Sequence, residues 1–246
     1  IGATGSELAV FRAERDLIDR GCDLVFVDYA VNDEEEPSDK RMRTREGLLR
    51  KLLGKGTCDV VLVYTFRQSF YREMSRDMQP ASIAEFEQLA EHYCLGSVWM
   101  GLYALEEVRS GAMRWEEWLP DGLHPTERGG LSYAGSVVSF LEWELQQTEG
   151  GMDPGADEND ALPPSLHPRH WGQAYVYPLE NVQYEGPWVV RRWPHLEWID
   201  QVLETAAVGA TLRFAFRGRG LSLGFDFGST SSEFRYRLDQ GEWVTT

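Results

Sequence analysis

Two short stretches carry side chains whose types and spacing suit proton-transfer chemistry. In Asp121-Gly122-Leu123-His124-Pro125 a carboxylate stands three residues before an imidazole. The proline biases His124 toward extended backbone rather than helix, and Gly122 lets the chain turn so that Asp121 folds back onto the ring. A carboxylate accepting from one ring nitrogen fixes the tautomer and leaves the other nitrogen free as a general base. The second stretch, Ala30-Val31-Asn32-Asp33, directly follows an apolar run. Both lie where an open α/β sheet carries its sites, just past the carboxyl ends of strands. Each has an ordinary reading too. Asn-Asp and Asp-Gly pairs are common turn formers because their side chains bond to loop backbone, and a histidine before proline is commonly a surface residue.

These stretches need elements to hold them. Asp23–Tyr29 (DLVFVDY) and Asp59–Thr65 (DVVLVYT) are short, continuous, β-branched apolar runs, and Ser97–Gly101 is a weaker third. Such runs fit strands buried on both faces in a parallel sheet covered by helices. Helical patterns lie among them. Glu7–Arg20 carries Leu8, Phe11, Leu17 and Ile18 among charges. Ser82–Tyr93 opens on Ser82 as an N-cap with Glu85 at the capping-box position. Leu131–Gln147 has Val137, Val138, Leu141 and Trp143 on its apolar side. Strands alternating with helices at these spacings predict an α/β fold.

The pattern then changes. Residues 148–170 are rich in Gly, Pro and acids without periodicity, and read as a linker. Beyond them the period becomes two. Leu212, Phe214 and Phe216, then Leu221, Leu223, Phe225 and Phe227, then Phe234, Tyr236 and Leu238 alternate with polar or small residues across glycine turns. Half-buried antiparallel strands joined by hairpins are predicted. The expected organisation is an α/β domain over 1–147, a linker over 148–170 and a small all-β, sandwich-like domain over 171–246.

Across 246 residues, 24 Lys+Arg against 40 Asp+Glu give a net charge of −16. So acidic a surface repels phosphate backbones and anionic headgroups, which argues against nucleic-acid and membrane-surface partners. No apolar run approaches the roughly 20 residues needed to span a bilayer. Cys22, Cys58 and Cys94 form no CxxC pair, arguing against a disulfide framework or a zinc site. His92 falls late in a helical pattern, His167, His170 and His195 show no ligand spacing, and the acidic runs Glu34–Glu36 and Asp157–Asp160 are not spaced for calcium. Neither metal nor organic cofactor is expected.

At the two chemistry-bearing stretches the sequence resembles the SGNH/GDSL hydrolases, serine esterases and acylhydrolases on a flavodoxin-like three-layer fold. Their Gly/Ala-x-Asn-Asp motif is matched by Ala30-Val31-Asn32-Asp33, and their Asp-x-x-His-Pro motif by Asp121–Pro125, with Gly129 trailing. Ile1-Gly2-Ala3-Thr4-Gly5-Ser6 is similar to the tail of a further family motif. The resemblance covers residue 1 to about 147. It implies that His124 deprotonates a serine and later protonates the leaving alkoxide, and that Asp121 orients His124. Asn32 would donate its amide into an oxyanion hole, with a backbone N–H for which Gly2 is the stand-in. Asp33 would hold the loop. No Gly-Asp-Ser occurs in the chain, and Ser6 lies in the wrong motif to be the nucleophile. The resemblance therefore implies a chain lacking the N-terminal nucleophile strand, with Asp23–Tyr29 at a sheet edge.

The implied function is hydrolysis of an acyl ester, acetyl included, of a carbohydrate or small molecule. The rival is a non-catalytic carbohydrate-binding protein with a degenerate domain of this type. Its aromatic surface would come from Trp171, Trp188, Trp193, Trp198 and Trp243 with Tyr175, Tyr177 and Tyr184, whose simpler role is to fill a small β core. A phosphate-binding domain is a weaker rival, because no Gly-rich strand–helix turn with a basic partner is present.

Overall fold

The computed structural model describes residues 3–55, 58–149, 161–196, 199–226, 228–229 and 231–246. It divides into two compact units, Ile1–Tyr177 and Pro178–Thr246.

The first unit is built on three parallel strands in the order β1-β2-β3: β1 (Leu24–Val27), β2 (Asp59–Val63) and β3 (Gly96–Val98). Leu24 pairs with Asp59 and Val61 with Gly96. Crossovers between parallel strands need helices, supplied by α2 (Ser38–Leu53) between β1 and β2 and by α3 (Tyr71–Met74) and α4 (Ala81–Tyr93) between β2 and β3; α1 (Ser6–Asp16) precedes the sheet, and α5 (Met100–Arg109), α6 (Trp115–Trp118) and α7 (Glu127–Glu149) follow it. Val60, Val61, Leu62 and Val63 are all buried, so both faces of β2 are covered. β1 differs from the expectation. Val25 and Val27 are buried, but Leu24 and Phe26 are 39% and 42% exposed, so only one face is packed. Among the described residues β1 has a single strand neighbour, β2, and stands at the edge of the sheet.

Several elements depart from the sequence reading. The chain forms α2 over a stretch with no clean apolar stripe, because its inward side chains are Arg41, Thr44, Arg45 and Glu46 alongside Leu48, Leu49 and Leu52. Ser82 is not the cap of α4. Pro80 holds that position, and the Ser82 hydroxyl is buried, donating to the Ala30 carbonyl at 2.5 Å. Glu85 pairs with Arg41 instead of closing a capping box. The inward face of α7 is Ser132, Tyr133 and Ser136 with Val137 and Phe140 against the core, whereas Val138 and Trp143 are 51% and 57% exposed. The Phe140 ring reaches β3 so closely that a Cβ on Gly96 would lie 2.6 Å from it.

Residues 161–177, of which 161–170 are expected as linker, belong to the first unit. Glu46, fully buried, accepts the N–H groups of Leu166 (2.6 Å) and His167 (2.7 Å) and the Tyr93 hydroxyl (2.6 Å). Trp171 donates its N–H to the Arg43 carbonyl at 2.9 Å and packs its ring against Phe11. The Glu46 carboxylate of α2 is thus met by a strap more than a hundred residues downstream.

The second unit contains antiparallel ribbons pairing β4 (Gln183–Glu185) with β7 (Thr211–Arg213), β5 (Val189–Arg192) with β6 (Gln201–Glu204), and β8 (Arg235–Tyr236) with β9 (Val244–Thr245). The expected hairpin of 212–217 with 221–227 does not form among the described residues. Residues 221–226 are outside any strand, and among the described residues each ribbon pairs only its own two strands. No described helix is long and apolar enough to cross a membrane.

Candidate active site

Asp33 organises the loop after β1. It is 2% exposed; Oδ1 accepts the Ser6 N–H at 2.9 Å, tying down the first turn of α1, and Oδ2 accepts Arg45 Nε at 2.9 Å. The Arg45 guanidinium, itself wholly buried, donates also to the Ser82 carbonyl (2.7 Å), the Ser82 hydroxyl (2.8 Å) and the Tyr29 carbonyl (3.2 Å), and lies 4.1 Å above the Phe86 ring. Burial pulls the Arg45 pKa below its ordinary value, and Asp33 opposes that pull. One buried cation therefore fastens both ends of the Tyr29–Asp33 loop, leaving Asn32 exposed at its tip. Gly5 approaches the same carboxylate: a Cβ there would stand 2.3 Å from Asp33 Oδ1. Ser6 is buried with its hydroxyl 2.6 Å from Thr44 Oγ1. Gly2 lies outside the described residues.

Asp28 completes the strand end. Burial lifts its carboxyl to about 6, against hydrogen bonds from the Thr65 hydroxyl and the Thr65 and Ala30 N–H groups that pull it down. Its Oδ1 is shut off from solvent without a hydrogen bond.

The second stretch folds as its spacing requires. Asp121 Oδ1 accepts the N–H groups of Leu123 (2.9 Å) and His124 (2.8 Å), while Oδ2 lies 2.8 Å from His124 Nδ1. An ionised carboxylate can only accept, so Nδ1 carries the proton and Nε2 is left as the basic nitrogen. The bond from the ring and the two backbone N–H groups hold Asp121 far below the usual carboxylate range. The turn depends on Gly122, buried at φ +79°, a conformation that L side chains rarely adopt. Behind it Thr126 immediately precedes α7, its hydroxyl oxygen accepting the Gly129 N–H at 3.2 Å. Gly129 fits because a Cβ there would press within 2.8 Å of Trp118.

A third segment, with no signal in its sequence, joins the two loops. After β2, Arg67 Nη1 pairs with Glu34 Oε2 at 2.6 Å, and the Ser69 hydroxyl reaches the same carboxylate at 2.8 Å. Gln68 donates its N–H to the Gly122 carbonyl at 2.8 Å. The structure thus ties the loop carrying Asn32 and the loop carrying Asp121 and His124 to one another through residues 67–69. No hydrogen bond joins Asn32 to His124, and among the described residues no serine hydroxyl is bonded to the ring.

No protein-family model matches the chain, and no curated protein does. The likeness among solved structures is to an esterase. The crystal structure of a two-domain esterase active on acetylated mannans, co-crystallised with mannopentaose, matches at 28% identity and a TM-score of 0.58 over 77% of this chain and 47% of that one. A second crystal structure of a two-domain esterase active on acetylated mannans matches at 28% identity and TM-score 0.60, over 77% and 48%. This chain spans about half the length of those esterases. Among the described residues no cluster of three His, Cys, Asp or Glu could hold a metal ion.

Proposed function

We propose that this chain carries the acid–base dyad and an oxyanion donor of a serine esterase of SGNH type that removes acyl groups, acetyl first among them, from a carbohydrate. The observation that carries the reading is the locked dyad: Asp121 holds the Nδ1 proton and aims a free Nε2 outward from the loop before α7. In that role Nε2 takes the proton of a serine hydroxyl as its oxygen attacks the acyl carbon. It then returns the proton to the departing sugar alkoxide, and a water repeats the cycle on the acyl-enzyme. The Asn32 amide donates to the oxyanion, an interaction worth about 10²–10³ in kcat where it has been removed from comparable sites. The likeness to an acetylmannan esterase at 28% identity supports a carbohydrate ester as substrate and favours catalysis over binding alone.

The test is acetate release from acetylated mannooligosaccharides by the full-length protein. His124→Ala should lower kcat by about 10²–10⁴, the usual contribution of a positioned general base. A His124→Ala protein retaining more than a tenth of the activity would show that the imidazole has no such role.

A further inference from the structure

The site described so far accounts for the acyl carbon and the proton, but not for the alcohol that leaves. Beside the dyad lies a cleft of about 450 Å³ lined by Arg67, Gln68, Ser69, Asp121, Gly122 and Leu123. Most of its polar groups are already engaged within the protein. Arg67 and Ser69 bond to Glu34, and Asp121 is taken up by His124 and two backbone N–H groups. Gln68 is different. Its backbone is fixed by the bond to Gly122, and its side chain is exposed and overlies that glycine, so that a Cβ on Gly122 would meet Gln68 Oε1 at 2.9 Å. The carboxamide itself has no hydrogen bond to any described residue. On the next loop Leu123 is 39% exposed, one residue before the catalytic candidate.

An uncharged carboxamide next to an apolar side chain complements one chemical class well. A sugar ring presents adjacent hydroxyls, each both donor and acceptor, together with an apolar face of C–H groups. The amide offers two donors and one acceptor, and Leu123 offers a surface for the C–H face. The cleft's own charges are paired internally and the chain carries −16, so a neutral ring fits better than an anionic one.

We propose that Gln68 and Leu123 form the subsite for the sugar ring whose ester is cleaved, Gln68 bonding a hydroxyl next to the acylated position. This rests on the esterase reading and adds to it the residues that choose the alcohol.

The test compares two substrates in the full-length protein: an acetylated mannooligosaccharide and p-nitrophenyl acetate, whose alcohol has no sugar hydroxyls. Gln68→Ala should lower the ratio of kcat/KM for the sugar ester to that for the aryl ester about tenfold, mainly through the KM of the sugar ester. Gln88→Ala, an exposed glutamine of α4 outside the cleft, should leave the ratio unchanged. In parallel, deacylated mannopentaose is titrated against both variants, with Gln68→Ala expected to weaken binding at least fivefold. An unchanged ratio, or mannopentaose binding indifferent to Gln68, overturns the subsite. If the parent protein cleaves neither ester, the esterase reading fails, and the titration still decides whether Gln68 holds the ring.

Discussion

Replacing Arg45 by methionine tests the scaffold of the site more directly than any change in the site itself. Methionine keeps the length and apolar bulk over the Phe86 ring but removes a cation that makes four hydrogen bonds in the core. Asp33, 2% exposed, would keep only the Ser6 N–H, and the Tyr29 and Ser82 carbonyls would each lose a donor. Breaking a buried pair from one side typically costs about 3–5 kcal/mol, because the remaining charge stays buried without compensation. Against a total stability of about 5–15 kcal/mol that is a large fraction, and for a domain of this size it lowers Tm on the order of 10 °C. Urea and thermal unfolding followed by far-UV circular dichroism report on the first unit, which holds all the described α-helices. Arg45→Met/Asp33→Asn removes the stranded charge and should regain at least 1 kcal/mol relative to Arg45→Met. Arg45→Lys, with a point charge in place of a fork, should fall between wild type and methionine. A loss below about 1 kcal/mol for Arg45→Met, or strict additivity in the double variant, would refute the assignment of Arg45 and Asp33 as the clamp of the Tyr29–Asp33 loop.

Other consequences follow from the same geometry. Asp28 titrates in the fold at about 6 against an ordinary value of 3.8, so its contribution to stability is complete below pH 4 and is lost as pH rises through 6. Asp28→Asn should therefore gain ~2–3 kcal/mol relative to wild type between pH 4 and pH 8, and a pH-independent difference in urea midpoint would contradict this. Gly5→Ala places a methyl 2.3 Å from Asp33 Oδ1, and overpacking of this kind costs about 1–3 kcal/mol; an unchanged midpoint would mean that Asp33 is free to move. Gly47→Ala presses within 2.6–2.8 Å of the Trp171 backbone, so limited proteolysis should cut residues 161–177 faster in this variant than in wild type.

The parts legible in the sequence are those decided locally. Asp121 and His124 are three residues apart, and the glycine and proline between and after them set the turn, so their pairing needed no knowledge of the rest of the chain. The same holds for β2, an unbroken apolar run that reads as a strand wherever it is placed, and for the alternation of strands with helices. Other features belong to the tertiary structure alone. The helix α2 is disguised because Arg41, Thr44, Arg45 and Glu46 are buried beside its leucines, and these polar side chains are tolerable only with partners brought from elsewhere. Arg45 has Asp33 and Ser82, 12 and 37 residues away, and Glu46 has Leu166 and His167, 120 and 121 residues away. The inward face of α7 is set by how closely Phe140 reaches Gly96 on β3, not by its most apolar stripe. The link from Gln68 to Gly122 joins positions 54 residues apart by a backbone N–H, a donor that every residue but proline carries. Apolar burial and turn chemistry are written in residue type and spacing. A buried polar network is written only in distances between residues far apart in the chain, since each member is unfavourable until its partners arrive.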